Sequence, residues 1–387
     1  MMKRIFAYVV LTLSLVACVS DDKYSWDEDF ADRTATDTIR IGLTYNGTNV
    51  QVTGDNYGFV NVNGADVTVN SGTNKFLQLT LSGSTSDGSL LIYSWRKLGV
   101  VLDNVSIVNP DGPAINNQCG KSFYVTLADG TANMLTDGLA YAVVLDAKGD
   151  TIDQKGTLFS EGQVYFDGTG SLAINGNAKN GIASDDYIVV NGGTINVNVA
   201  ETGSNGIKVN DGFTVNGGKL GISVKADGAR GIKCDAKVLI GGGETTITTS
   251  GDCLIEAVDG VRDTTSAAGI KCDSLFSMTA GTLKITSSGD GGKGINCADS
   301  VKFSGGTLEA ITTGSNDVGK PKAVKSDVAI VLSGGSFMAK CEYSWACDNG
   351  YEGGEDESNA SIASKMVTIL GEPQYKLLKK KEMIVKY

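Results

Sequence analysis

Six stretches of this chain align on one another without a gap, and that repetition limits the fold more than any other feature. They begin at Gly181, Gly206, Gly231, Gly269, Gly294 and Ala323; the first two read GIASDDYIVVNGGTI and GIKVNDGFTVNGGKL. The starts lie 25, 25, 38, 25 and 29 residues apart, so the unit is 25 residues with two insertions. The second position is Ile182, Ile207, Ile232, Ile270, Ile295 and Val324, and the eighth and tenth positions are also apolar. Within each stretch apolar residues alternate with others, which is strand period. Each unit therefore holds three short strands with one side turned inward. A 25-residue, three-stranded unit stacked on its own copies is the coil of a parallel β-helix, with neighbouring coils about 4.8 Å apart. A glycine pair such as Gly217-Gly218 separates the second and third strands, where a sharp corner needs positive φ.

The same pattern runs more weakly upstream, through Leu90–Tyr93, Val100–Ile107, Phe123–Leu127 and Gln163–Phe166. Residues 38–387 are thus expected to form one all-β domain of at most about 14 coils. Residues 38–60 are placed to cap its start, and Lys379–Lys381 to blunt its last edge. With 51 Gly but 4 Pro and no G-X-Y period, the chain is not collagen-like.

Residues 1–17 read as a lipoprotein signal: Lys3 and Arg4, an apolar stretch from Ile5 to Val16, then Leu15-Val16-Ala17-Cys18. Cys18 would be the lipidated first residue of the mature chain, and residues 18–37 an acidic tether. This predicts an outer-membrane lipoprotein at the cell surface, held to the membrane only through its N-terminal lipid. Net charge is −11, falling to near −13 without residues 1–17, which argues against nucleic acid as a partner. The chain has no histidine, so Ser-His-Asp catalysis and His-ligated metal sites are excluded. Oxygen-ligand sites for hard cations stay open.

The repeat columns supply the candidate site residues. The third is mostly lysine, Lys208, Lys233, Lys271 and Lys325, and alternation turns it outward. It reads either as a surface ladder offset by Asp185, Asp235, Asp273 and Asp327, or as a cationic stripe for an anionic polymer. Asp185, Asp186, Asp227, Asp252, Asp259 and Asp290 are candidate ligands for Ca2+; Asp-Gly is also ordinary turn chemistry. Trp95 and Trp345 are candidate platforms for sugar rings. Cys234, Cys272 and Cys297 share one column and read as a buried ladder. Cys341 and Cys347 lie six residues apart, and both a disulfide and two thiols are open.

One ordered set of motifs carries a resemblance. Asp111–Asn116 (DGPAIN) is followed by Thr131–Gly138 (TANMLTDG), Gly168–Leu172 (GTGSL), Gly181–Asp186 (GIASDD) and the GI…GG repeats. Together these are similar to the bacterial carbohydrate-binding β-helix domain family, whose fold is like that of pectate lyases. The resemblance implies a right-handed parallel β-helix that binds acidic polysaccharide of the polygalacturonate type with calcium. Asp185 and Asp186 match the family's acidic pair; Asn180 stands where many members have histidine.

Four functions compete: a non-catalytic polysaccharide-binding protein, a calcium-dependent lyase with Arg230 or Arg262 as base, a glycoside hydrolase built on Asp185-Asp186, and a structural adhesin. Binding fits the lipoprotein signal, the repeats and the resemblance together. The hydrolase is disfavoured because adjacent strand residues point opposite ways.

Overall fold

The structure, a computed structural model, describes residues 38–258, 261–343, 351–352, 361–379 and 382–386. Every element among them is a strand. Eleven strands, from Asp66–Ser71 through Ile207–Val209 to Ile362–Ala363, pair in parallel one above the next and form what we call the first ladder. The second and third strands of each coil, such as Gly212–Val215 and Lys219–Val224, lie in a single large sheet. Register follows the repeat: Ile207 pairs with Ile232 and Ile232 with Ile270. This is a parallel β-helix.

Its core is the set of stacked inward columns. Ile182, Ile207, Ile232, Ile270, Ile295 and Val324 are all buried. Burying each such side chain contributes roughly 1.5–3 kcal/mol. Cys234, Cys272 and Cys297 are buried free thiols in the same interior.

The two recurring glycine positions of the repeat serve different ends. Gly193, Gly218, Gly243, Gly281, Gly306 and Gly335, the second of each pair, all have φ between 70° and 81°. The glycine that opens the first five repeats is needed for close approach instead. A Cβ on Gly231 would lie 2.3 Å from Ile247 Cγ2 and 2.6 Å from the Gly269 carbonyl oxygen.

Both ends close with antiparallel pairs. Thr38–Asn46 pairs with Val50–Thr53, Val60–Asn63 with Asp66–Ser71, and Gln374–Lys379 with Glu382–Lys386. Lys379 therefore lies inside a paired strand. A hairpin of Leu254–Val258 with Val261–Thr265 fills the 38-residue spacing of the repeat. Upstream of the six repeats, residues 138–155 also leave the coil and turn tightly at Asp146, whose carboxylate accepts from the Lys148 and Asp150 amides.

Candidate functional site

Strand alternation turns two polar columns outward on the first ladder. Ala183, Lys208, Lys233, Lys271, Asn296 and Lys325 stack in register. Two residues along each coil stand Asp185, Asn210, Asp235, Asp273, Ala298 and Asp327. Most of these charges neutralise one another. Lys208 pairs with Asp235 one coil on, Lys271 with Asp273 at 3.0 Å and Lys325 with Asp327 at 3.0 Å.

Among the described residues of this face, Lys233 and Arg230 are left over. Lys233 is half-buried and makes no ion pair, since Asp235 is taken by Lys208. Arg230 lies three residues earlier in the same strand, and its Nε is buried without a hydrogen-bond partner. Burial lowers both pKa values, and Lys208, Arg230 and Lys271 depress Lys233 further, against the opposing pull of Asp235. The base of the inserted hairpin packs on Gly228, two residues before Arg230: a Cβ on Gly228 would lie 2.8 Å from Leu254 Cβ.

A second grouping lies toward the N-terminal end of the same face. Carboxylate oxygens of Asp153, Glu161 and Asp185 all lie within 4.8 Å of one another. Lys155 stands among them, 2.6 Å from Asp153 and 2.5 Å from Asp185. Burial works against the Lys155 charge, but its bonds to the two aspartates outweigh this and raise its pKa. The Glu161 pKa is also raised, by burial first and then by the charges of Asp185 and Asp153. The cation among these oxygens is the Lys155 ammonium group.

The structure separates the other predicted ligands. Asp186 turns away from Asp185 and accepts from Gln163 Nε2, and burial with the nearby Asp211 raises its pKa. Asp227, Asp252 and Asp290 stack in the turns that lead into the first ladder. The Asp227 carboxylate accepts the Asp252 amide at 2.8 Å, Asp252 accepts that of Asp290 at 2.8 Å, and Asp290 accepts that of Ser315 at 2.8 Å. These carboxylates pin one turn to the next. Trp95 is 55% exposed, with the Arg96 guanidinium 5.7 Å from its ring centre. Cys18, Asp259, Trp345 and Cys347 lie outside the described residues, as does the Arg262 side chain.

Sequence reasoning missed Asp153, Lys155 and Glu161. Glu161 had a signal: Gln163–Phe166 matches the repeat, and stepping back two residues puts Glu161 in the Asp185 column. Asp153 and Lys155 had none, because they come from the non-repeating insertion.

The model of a family described as carbohydrate-binding domain-containing protein matches residues 63–230 and 228–317. The chain belongs to this carbohydrate-binding family. A carbohydrate-binding domain-containing protein of Acetivibrio thermocellus is 31% identical over 122 residues, which is 30% of this chain and 41% of that relative's length. Among solved structures, a polysaccharide lyase-like protein from C. thermocellum, a gadolinium derivative, superposes with a TM-score of 0.54 at 24% identity. It covers 69% of this chain and 97% of its own. That likeness shows that the two chains share a fold, in agreement with the parallel register of the ladders.

Proposed function

We propose that this protein binds acidic, uronate-rich polysaccharide along the outer face of the first ladder, assisted by calcium, without cleaving it. One observation carries the reading: Arg230 and Lys233 stand unneutralised on a face whose other lysines are paired. A half-buried cation without a counter-ion is unfavourable, and a ligand carboxylate that pairs with it relieves that penalty. The lysines of the neighbouring coils, Lys208 and Lys271, stand about 4.8 Å to either side, each paired with an aspartate.

Calcium fits the cage of Asp153, Glu161 and Asp185, since hard cations take carboxylate oxygens. Three side chains are fewer than the six to eight oxygens that calcium takes, so water and uronate oxygens complete the shell. Lys155 would swing out as the ion entered. The reading also places the chain on the outer membrane at the cell surface, tethered through lipidated Cys18; its support is the sequence of residues 1–37.

Affinity electrophoresis tests the proposal. Polygalacturonate should retard the protein, calcium should increase the retardation, and fully methyl-esterified polymer should not retard it. Equal migration in all gels overturns the reading. A lyase reading has one observation in its favour, the burial-lowered pKa of Arg230 and Lys233. Accumulation of ultraviolet-absorbing unsaturated product at high protein concentration would replace binding with cleavage.

A further inference from the structure

The same face carries a cavity of about 260 Å³ some four coils away from Lys233. Its floor is the outward column of the first ladder, Leu91 and Asn116. The insertion 138–155 forms one wall with Val144, Ile152 and Gln154. Alternation along this extended segment sends Ile152 and Gln154 to the cavity, while Asp153 and Lys155 join the carboxylate cage. Pro113 closes the opposite side, on a chain fixed by the Asn109 side chain, which donates to the Pro113 carbonyl at 2.8 Å.

The lining holds three carboxylates, Asp66, Asp87 and Asp111, and no lysine or arginine. These carboxylates do not converge: they are absent from the one described group of acids close enough to share an ion. A cation is therefore a poor fit. An anion is a worse one, because every charge in the lining is negative. Ionised carboxylates accept hydrogen bonds only, so they call for a ligand rich in donors. The apolar lining, Leu91, Val144, Ile152 and Pro113, calls for a ligand with C–H surface as well. The volume lies just under the roughly 300–1,000 Å³ of drug-sized sites and suits one ring.

We infer that this cavity binds a single neutral sugar ring, its hydroxyls donating to the acidic rim and its C–H face lying on Leu91. It is a second site, of opposite charge to the Arg230–Lys233 face, and does not depend on that face binding uronate. It would hold a neutral branch or chain end.

Saturation-transfer NMR on the full chain, with D-galactose, D-glucose and D-mannose and with D-galacturonate and D-glucuronate, tests the inference. At least one neutral sugar should bind, with Kd on the order of 1 mM, and the uronates should bind about tenfold more weakly or not at all. Leu91→Trp should fill the cavity and abolish the signal, while retardation by polygalacturonate is unchanged. Asp87→Asn with Asp111→Asn should narrow the gap between galactose and galacturonate. No signal from any neutral sugar, uronates binding as well as neutral sugars, or a signal that survives Leu91→Trp in a folded variant would each overturn it.

Discussion

A four-coil stretch of the first ladder presents one backbone pattern with opposite charge at its two ends. Around Leu91 and Asn116 the face is a walled cavity rimmed by aspartates. Around Arg230 and Lys233 it is an open strip with two unneutralised cations. Four coils, about 19 Å, separate Asn116 from Lys233, which is more than a Debye length at physiological salt. The two ends therefore act independently. Between them, Lys155 stands among three carboxylates whose charge it only partly offsets. The lesson is that the β-helix fixes where outward side chains stand, while an insertion and a few unmatched charges decide what each stretch can hold.

The largest expected effect is loss of the cationic end. Arg230→Ala with Lys233→Ala should weaken polygalacturonate binding about a hundredfold, near 2.7 kcal/mol, measured by affinity electrophoresis. Neutral-sugar binding at the other end should not change. If both fall together, the two ends are not separate.

Salt should divide the ends next. Raising ionic strength from 0.05 to 0.5 M, as an order-of-magnitude range, should weaken polymer binding roughly tenfold by screening, and leave neutral-sugar binding flat. A flat polymer response would remove the electrostatic basis of the proposal.

The cage between them should respond to pH. Its raised Glu161 pKa means that the folded chain takes up this proton more readily than the unfolded chain. Ionisation of Glu161 therefore disfavours the fold above that raised pKa, and the penalty fades as pH falls through it. Calcium needs the ionised form, so calcium affinity should fall on acidification at a pH above the ordinary glutamate range. Calorimetric titration across pH checks this. Glu161→Gln should lower calcium affinity about tenfold and raise Tm of the calcium-free protein by roughly 1 °C, since the side chain is only partly buried.

The smallest effect concerns acids that lie on neither end. Asp252→Ala removes the acceptor for the Asp290 amide and should reduce stability by about 1 kcal/mol in thermal melts. Calcium stoichiometry should be unchanged; a lost equivalent would move the ion from the cage to the turn ladder.

Much of this was legible in the sequence, and particular residues show why. Ile207, Lys208 and Val209 declare inside, outside, inside by alternation alone, and 25-residue spacing sets them beside Ile232, Lys233 and Cys234. The lysine column could thus be read without coordinates, as could positive φ at Gly218. What could not be read was which lysine stays unpaired. Lys208 reaches across a coil to Asp235, whereas Lys271 and Lys325 pair within their own coils. That choice depends on side-chain geometry between coils. The role of Asp227, Asp252 and Asp290 was hidden for a similar reason: a carboxylate that caps the next turn and one that binds an ion look alike in a list of residues.

By itself the sequence determined the coil, its inward columns and the outward run of lysine and aspartate, because strand alternation and a fixed repeat length are local rules. Only the tertiary structure decided which charges cancel, where the carboxylate cage closes and that a cavity opens beside it. Residues 138–155 have no repeat of their own, and their place on the first ladder is set by long-range contacts. One is the hydrogen bond by which Asn116 Nδ2 donates to the Asp153 carbonyl at 3.1 Å. Such contacts join residues that no period in the chain connects, so they come into being only when the coils are stacked.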